Sequence, residues 1–241
     1  MIRFSSLPLS ELSRPLWLAC FDDASEAELV RLLSTCPRDT RVLLAKEDGV
    51  AVAQGLLMPL TLSGRRGYYL YAIATHPSYR GRGYMHAFLT EAKKEALQNG
   101  LDFLLLIPAT SALADAYRRA GFSQKWPLAA DEAGDDPIYR LPPNEPLFPY
   151  DGNFDALFAR YDGELSKDML RTALASVSEK TRIFYTESGF CVASCKDHAA
   201  CFTADRATLS RCQACPSPYR ALLCPLTDVP MTSKVADPLP R

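Results

Sequence analysis

The chain has 241 residues, a formal net charge of −1, 48% hydrophobic residues and 23% charged residues. A chain of this length forms one large domain or two small ones, and its composition can bury a proper core. The near-neutral charge gives no reason to expect nucleic acid or an anionic membrane as a partner. No apolar stretch is long enough to span a bilayer, and the chain begins directly with a strand-like segment, so we expect a cytoplasmic protein.

The first half of the chain predicts a mixed pattern of helices and strands. We expect a strand at 1–5, helices near 9–20 and 24–35, and a hairpin that pairs Arg41–Ala45 with Val50–Leu60. The pair Asp-Gly inside the hairpin loop tolerates the positive φ angles of a tight turn. The fold class predicted from this alternation is α/β (mixed α+β).

A strand, a glycine turn and a helix follow the hairpin. The strand Tyr68–Thr75 is rich in aromatic and β-branched residues, and Pro77 just beyond it cannot donate to a ladder. The turn Arg80-Gly81-Arg82-Gly83 has no side-chain bulk at two positions, and an amphipathic helix then runs to Asn99-Gly100. Backbone amides and the positive end of a helix dipole therefore meet at Gly83, an arrangement that can hold a pyrophosphate.

Two commoner nucleotide-binding motifs do not fit this turn. A Walker-type phosphate loop needs Gly-Lys-Ser/Thr at the start of the helix, whereas Gly83 is followed by Tyr84 and Met85. A dinucleotide fingerprint needs a third glycine where His86 stands, and it normally follows the first strand of an α/β chain. A plain surface turn between strand and helix is the alternative if the glycines are considered alone.

A further strand, a second helix and a linker-like segment are predicted after this helix. Residues 101–107 have the length and apolarity of a buried strand, and Thr110 or Ser111 can cap a helix that ends at Arg119. One or two strands are predicted near 122–141. The composition of 129–150 is typical of turns and linkers, so we place a domain boundary near 143, between domains at 1–143 and 144–241.

The glycine turn and the segment downstream resemble the Gcn5-related N-acetyltransferase (GNAT) superfamily. The superfamily's loop signature, Arg/Gln-x-x-Gly-x-Gly/Ala, is matched by Arg80 and Gly83, with Met85 where a small residue is preferred. A second signature, aromatic-Tyr-x-x-x-Gly-Phe, is matched from Tyr117 to Phe122, with alanine in place of the first aromatic residue. The resemblance covers about residues 40–125 and implies a central mixed sheet flanked by helices.

The resemblance also implies the chemistry, which is transfer of an acetyl group from acetyl-coenzyme A to an amine of a small molecule or peptide. The main chain of Ile73, Ala74 and Thr75 would pair with the pantetheine arm, because Pro77 would force the strand to part from its neighbour. The loop and the first helical turn would hold the pyrophosphate through backbone amides and arginine heads. These residues are Arg80, Gly81, Arg82, Gly83, Tyr84, Met85 and His86.

Tyr117 matches the family tyrosine that protonates the departing coenzyme thiolate. A phenol with a pKa near ~10 can donate to a thiolate whose conjugate acid is near ~8.5 once the two are desolvated together. The alternative is a helix tyrosine whose ring lies in the core and whose hydroxyl lies at the surface. Many relatives carry a glutamate base on the central strand, but Tyr68–Thr75 has no carboxylate. The base therefore stays open between His76, a tyrosine such as Tyr71, a carboxylate from elsewhere, and water.

The C-terminal part contains a faint internal repeat. Thr181–Ala193 parallels Thr40–Ala53, with Lys46 as the one extra residue, and no Gly/Arg loop follows the second copy. Chance similarity between two hairpins is the alternative. If the repeat is real, 144–241 is a smaller, degenerate GNAT-like half without a nucleotide site, as in tandem members of the superfamily. One coenzyme is then expected for each chain.

Six of the eight cysteines lie in the last quarter of the chain. Cys212-Gln-Ala-Cys215 has the spacing of a zinc site, to which Cys191, Cys195 or His198 could contribute. Only one pair has this spacing, and Cys191 lies in an apolar alternation where a free cysteine is usually a small buried hydrophobe. We therefore predict reduced structural thiols and no metal.

Two classes of function compete for this chain. The first is an acetyl-coenzyme A-dependent N-acetyltransferase, with an acceptor pocket between the first helices and the C-terminal half. The second is a non-catalytic acyl-coenzyme A-binding regulatory module that keeps the loop but has lost the chemistry. Met85 and the missing strand carboxylate favour the module, whereas Tyr117 favours the enzyme. A variant of the first class would use a hydroxyl acceptor or an aminoacyl donor.

Overall fold

The computed structural model describes residues 2–21, 25–127, 139–161, 165–175, 181–194, 200–203, 211, 213–214 and 220–227. The chain divides into two compact units, residues 1–124 with 222–231 and residues 125–221 with 232–241. This division differs from a single boundary near 143, because a strand close to the C-terminus is part of the first unit.

The described strands and helices have the following bounds. The strands are β1 (Ser5–Pro8), β2 (Arg41–Glu47), β3 (Val50–Leu62), β4 (Arg65–Thr75), β5 (Phe103–Leu106), β6 (Gln124–Pro127), β7 (Tyr139–Arg140), β8 (Phe148–Pro149), β9 (Thr181–Tyr185), β10 (Phe190–Ser194), β11 (Ala200–Thr203), β12 (Gln213–Ala214) and β13 (Arg220–Pro225). The helices are α1 (Arg14–Cys20), α2 (Glu26–Thr35), α3 (Tyr84–Gln98), α4 (Ser111–Arg119), α5 (Phe154–Ala159) and α6 (Lys167–Ala175).

The largest sheet is mixed, which confirms the predicted fold class. Its strand order is β1-β2-β3-β4-β5-β13-β6. The pairs β1–β2, β2–β3, β3–β4 and β5–β13 are antiparallel, whereas β4 and β5 are parallel. The parallel pair follows from the crossover helix α3, since parallel neighbours need a long connection between them. Helices α3 and α4 pack their apolar residues, including Phe88 and Tyr117, against β4 and β5.

The helix 111–119 lies where the sequence predicts it, but the N-terminal elements differ. The predicted strand 1–5 is found at Ser5–Pro8, and the predicted helix 9–20 is split into a 3-10 turn at Leu9–Glu11 and α1. The split has a local cause. Ser13 caps α1 by accepting the Leu16 N–H at 3.4 Å, and Pro15, in the first turn, fits a helix start rather than its interior.

Strand β13 was not predicted, and it completes the first unit. It pairs with β5 from Leu222 opposite Leu106 to Pro225 opposite Phe103. Leu222 and Cys224 are buried in the same core cluster as Tyr117. At the end of β13, the Leu226 N–H donates to the Asp102 carbonyl at 2.8 Å. Residues 222–225, which the predicted boundary places in the C-terminal half, therefore belong to the sheet of the first unit.

The second unit has a strand order like that of the first half of the first unit. Its four-stranded sheet has the order β11-β10-β9-β8, and all neighbours are antiparallel. Helices α5 and α6 stand between β8 and β9 in the chain, as α1 and α2 stand between β1 and β2. The hairpins differ in register. β2 and β3 have a bulge at Ala45/Lys46, whereas Tyr185 pairs directly with Phe190 across a four-residue loop.

Gln54 on β3 fastens the start of α1 to the sheet. Its side chain is 1% exposed, its Oε1 accepts the Ser13 N–H at 2.9 Å, and its Nε2 donates to the Ser13 carbonyl at 3.1 Å. In Gln54→Leu, both main-chain groups of Ser13 lose these partners, so we expect the free energy of unfolding to fall by about 1–3 kcal/mol in urea denaturation. The exposed Gln98 provides the control, since Gln98→Leu should change stability by less than about 0.5 kcal/mol. Equal stability of the two variants would contradict this role of Gln54.

Candidate active site

Strand β4 leaves β5 in the middle of the sheet. The two strands pair only from Gly67 opposite Phe103 to Tyr69 opposite Leu105. Ala72 has a φ of 51°, and the register of β4 against β3 shifts at the same level. A bulge bends its strand and increases the local twist. Among the strands that the structure describes, none pairs with Ile73, Ala74 and Thr75 on the β5 side, which leaves an open edge there.

The separation does not come from Pro77, and this part of the prediction is wrong. β4 stays paired with β3 up to Thr75, and the His76 N–H still donates to the Val52 carbonyl at 2.9 Å. The parting from β5 begins earlier, after Tyr69. The last pair, Tyr69 with Leu105, lies one residue before β5 ends at Leu106, and the bulge at Ala72 follows it.

Gly55 is a residue of this region that sequence reasoning missed. It lies in β3 opposite the bulge, and a Cβ placed on it would meet the Phe88 ring of α3 at 2.5 Å. No real Cβ contact is that short, so glycine is required for α3 to approach the sheet here. Helix α3 begins at the predicted pyrophosphate loop. The packing of Phe88 against Gly55 therefore helps to place that loop beside the open edge of β4.

Both glycines of the turn have left-handed backbone angles and open space around them. Gly81 has a φ of 75° and Gly83 a φ of 87°, and a Cβ on either would meet nothing within 4 Å. Gly83 is the N-cap of α3, and no side chain caps the helix. Because the first N–H groups of an α-helix have no intrahelical partner, the amides of Tyr84, Met85 and His86 can bind an anion.

Arg80 and Arg82 lie beside these amides and fold back on the turn. Arg80 Nε donates to the Thr75 carbonyl at 3.2 Å, and an Nη of Arg82 donates to the Ser78 carbonyl at 3.1 Å. The Arg82 guanidinium also lies 4.8 Å from the centroid of the Tyr79 ring. Both arginines are exposed. Two cations and a helix N-terminus at one place suit the charge of a diphosphate.

The three residues that follow Gly83 differ in how far their side chains are exposed. The Tyr84 side chain is only 3% exposed, packs with Val52 and Ala53, and donates a hydrogen bond to the Glu47 carboxylate. Met85 is half-buried against the core, and His86 is exposed. The proposed contact of Tyr84 with a coenzyme is thus limited to its main chain.

Tyr117 lies in the core cluster against which Ile73 and Met85 also pack. It is 6% exposed, and its ring stands edge-on to Phe122 with centroids 6.2 Å apart. Burial raises the pKa of Tyr117 to about 12. The phenol is therefore protonated at neutral pH, which is the state that a general acid needs.

Among the candidate bases, Tyr71 is disfavoured. Burial raises the pKa of its hydroxyl to about 12, with a smaller contribution from the Cys36 thiol. A phenol with that pKa is protonated at neutral pH and cannot accept a proton from an ammonium. His76 lies at the start of the loop, where its Nδ1 accepts the Ser78 N–H at 3.3 Å and its ring lies 5.8 Å from that of Tyr79.

The opposite face of β4 carries an aromatic cluster that the sequence reasoning also missed. The ring of Trp17 in α1 lies 6.3 Å from that of Tyr71 and 4.9 Å from that of Phe21. Tyr69 lies 5.8 Å from Tyr71. Trp17 lies in the predicted helix 9–20 and Phe21 follows directly after it, and this spacing of four residues is the sequence signal that could have indicated a shared face.

Metal and membrane sites were sought among the described residues only. The predicted zinc candidates Cys195, His198, Cys212 and Cys215 lie outside those residues, and Cys191 is fully buried in β10. Within the described ranges, no three side chains of His, Cys, Asp or Glu are grouped so that they could hold a metal ion. In the same ranges, no helix is both long enough and apolar enough to cross a membrane.

Comparisons with known proteins agree with this geometry. Residues 12–124 match the family model described as the acetyltransferase (GNAT) domain. Eis1 from Mycobacterium abscessus has a similar structure, with a TM-score of 0.56 and 14% identity over 92% of this chain and 72% of that one. A GCN5-related N-acetyltransferase from Anabaena variabilis ATCC 29413 is also similar, with a TM-score of 0.53 and 15% identity over 92% of this chain and 72% of that one. No curated protein sequence matches the chain.

A conserved protein from Enterococcus faecalis V583 is similar with a TM-score of 0.55 and 16% identity, over 80% of this chain. The chain spans only 55% of that protein's length. At such identities the structures establish a likeness of fold. Both the fold and the match of residues 12–124 are therefore similar to those of acetyltransferase (GNAT) domains. The match of residues 12–124 to the GNAT domain model confirms the predicted resemblance to that superfamily.

Proposed function

We propose that the chain is an N-acetyltransferase that uses acetyl-coenzyme A as co-substrate and an amine of a small molecule or peptide as acceptor. One observation carries the proposal. The open edge of β4 at Ile73–Thr75 leads directly to Gly81 and Gly83, in front of the uncapped start of α3. A long ligand with a diphosphate at one end and amide groups along its arm fits such a path, because strand amides pair with amides and helix amides bind phosphate.

The reaction follows from the same placement. The amine nitrogen attacks the thioester carbon, a C–N bond forms, and the C–S bond breaks. Tyr117 gives its phenolic proton to the departing sulfur, which leaves as coenzyme A thiol. The acceptor nitrogen loses one proton to water or to a base that the described residues do not identify, and the phenol is then reprotonated from solvent. The atoms balance without a metal or a redox partner.

The second candidate is a non-catalytic acyl-coenzyme A-binding regulatory module. One observation favours it. Strand β4, from Arg65 to Thr75, contains no carboxylate that could deprotonate an ammonium. Such a module would bind acetyl-coenzyme A at the loop and release no thiol with any amine. The position of Tyr117 favours the enzyme instead, because it lies in the core cluster against which Ile73 of the open edge also packs.

For the second unit, we propose a degenerate half-copy of the same fold. The shared order of four antiparallel strands, with two helices after the first strand, supports it. On this proposal, the different hairpin registers are a divergence of the two copies at the turn. Since the Gly/Arg turn occurs once in the sequence, the proposal is one coenzyme site for each chain.

Calorimetric titration with acetyl-coenzyme A tests the donor site. The wild-type chain should bind one equivalent. In Gly83→Val, a branched side chain at a φ of 87° blocks the helix amides, so we expect binding to weaken roughly 10- to 100-fold, as for the loss of one hydrogen bond to a charged group. Gly64→Val is the matched control, because Gly64 also has a positive φ, 73°, and open space around it, but lies in the β3–β4 turn.

Equal weakening in the two glycine variants would show that strain rather than blocked amides explains the result. No binding of acetyl-coenzyme A to the wild-type chain would contradict both candidate functions. Thiol release against a panel of amines then separates the enzyme from the module, since only the enzyme produces free coenzyme A.

A further inference from the structure

The glycine turn Arg80–Gly83 has a backbone that is free to move, and neighbouring side chains hold it in place. Both of its glycines, Gly81 and Gly83, have left-handed backbone angles. Glycine loses more conformational freedom on ordering than any other residue, so a turn with two glycines lowers affinity when it orders only around a ligand. Contacts that order the turn before binding therefore raise affinity, and the ring of Tyr79 makes several such contacts.

The Tyr79 ring supports the guanidinium group of Arg82. The guanidinium carbon lies 4.8 Å from the ring centroid, within the range of a cation–π contact. An Nη of Arg82 also donates to the Ser78 carbonyl at 3.1 Å. These contacts engage one face of the guanidinium plane and one of its nitrogens. Because the group has five N–H donors in its plane, it keeps donors with which it can bind a diphosphate.

Two other rings and a buried cluster hold the Tyr79 ring. It stands edge-on to the Tyr84 ring, with centroids 6.3 Å apart and an angle of 81° between the planes. It also stands edge-on to His76, with centroids 5.8 Å apart. Tyr79 packs against the cluster in which Tyr84 is buried with Val52 of β3. The ring that supports Arg82 is therefore attached to the sheet.

A hydrogen bond to Glu47, the last residue of β2, fixes Tyr84. The Tyr84 hydroxyl donates to the Glu47 carboxylate. Burial and, next, this hydrogen bond raise the pKa of Tyr84 to about 12, so the hydroxyl keeps its proton at neutral pH. Tyr84 is also the first residue of α3. An exposed acidic residue is thus connected, through two aromatic rings, to a turn that is proposed to bind an anion.

From these contacts, and on the basis of the proposed function, we infer that Tyr79 is a positioning residue for the donor, whose ring holds the Arg82 guanidinium beside the diphosphate site. The hydrogen bond between Tyr84 and Glu47 holds the ring in turn. This inference gives Glu47 an effect opposite to that of its charge. By charge alone, removing a carboxylate near the turn strengthens the binding of a diphosphate, whereas removing a support weakens it.

The first test is a double-mutant cycle, measured by calorimetric titration with acetyl-coenzyme A. Arg82→Met removes the cation, and Tyr79→Leu removes the ring but keeps an apolar side chain. In the wild-type background, Tyr79→Leu should weaken binding about two- to fivefold, the contribution of an exposed cation–π contact. In the Arg82→Met background it should weaken binding less than about 1.5-fold, because the guanidinium that the ring supports is absent. Tyr79→Phe keeps the ring and should restore the affinity.

The second test separates the support given by Glu47 from its charge. Glu47→Ala should weaken binding to the same extent as Tyr79→Leu, about two- to fivefold. Glu47→Gln keeps an oxygen that accepts the Tyr84 hydroxyl, so it should restore the affinity. Asp48→Asn is the matched control for charge, because it removes one negative charge at the next, exposed position, and asparagine tolerates the φ of 49° found there. This control should not weaken binding.

Three results would overturn the inference while the wild-type chain binds acetyl-coenzyme A. Equal weakening by Tyr79→Leu in both backgrounds would mean that the ring does not act through Arg82. Unchanged affinity in Tyr79→Leu would mean that the donor does not depend on the ring. Unchanged or tighter binding in Glu47→Ala would mean that only its charge matters.

Circular dichroism shows whether each variant is folded. If Tyr79→Leu does not fold, Glu47→Ala takes its place in the cycle with Arg82→Met, with the same expected results. If the wild-type chain does not bind acetyl-coenzyme A, the proposed function fails, and the positioning role fails with it. The wild-type titration therefore distinguishes the two failures.

Discussion

Replacing Tyr117 by phenylalanine is expected to lower kcat for acetyl transfer by about 10²- to 10⁴-fold, the usual contribution of a positioned general acid. The dissociation constant of acetyl-coenzyme A should stay unchanged, because the ring and its edge contact with Phe122 remain. Steady-state thiol release gives kcat, and calorimetry on the same preparation gives the affinity. Intact turnover in Tyr117→Phe would contradict the acid role and would mean that Tyr117 only packs in the core.

The pH profile gives an independent check on the same residue. Because burial raises the pKa of Tyr117 to about 12, the phenol keeps its proton well above neutrality. An acid of this kind is lost only as the pH rises through its pKa, so kcat should show no alkaline decline between about pH 7 and 10 from this group. Tyr150→Phe is the control for the loss of a tyrosine hydroxyl elsewhere in the chain, and it should leave kcat unchanged.

The second large effect is expected from strand β13. Leu223 is fully buried and pairs with Leu105 of β5, so Leu223→Asp places an unpaired charge in the core of the first unit. We expect the free energy of unfolding to fall by more than about 4 kcal/mol, enough to unfold many domains. Urea denaturation followed by circular dichroism measures the change, and acetyl-coenzyme A binding should be lost with the fold.

Thr227→Asp is the matched control for β13. It introduces the same charge four residues further on, at an exposed position, and should change stability by less than about 0.5 kcal/mol. If Leu223→Asp is as stable as this control and still binds acetyl-coenzyme A, then β13 is not needed by the first unit. In that case 1–143 would be a sufficient domain, as the composition of the linker segment suggests.

Local signals explain which elements could be predicted. The helix 111–119 begins after the capping residue Thr110 and ends at Arg119, as the sequence predicts. The turn at Gly81 and Gly83 has the positive φ angles that glycine alone adopts easily. In each case the neighbouring residues decide the conformation, and they are adjacent in the sequence.

Other features depend on residues that are far apart in the chain. The pairing of β13 with β5 joins residues more than a hundred positions apart, and its short apolar run resembles any buried strand. The hydrogen bonds between Gln54 and Ser13, and the packing of Phe88 against Gly55, are likewise contacts between distant segments. Nothing in the local sequence of either partner indicates the other.

The sequence by itself determined the class of protein, because a phosphate-binding turn and its helix are built from consecutive residues whose φ angles and free amides follow from glycine and from the helix start. Tertiary structure alone decided where β4 loses its partner β5 and where its register against β3 shifts, since both depend on strands distant in the chain. It also decided which side chains surround that edge. Tyr117 of α4 packs on one face of β4 and Trp17 of α1 lies against Tyr71 on the other, and only the packing of these helices on the sheet sets this difference between the faces.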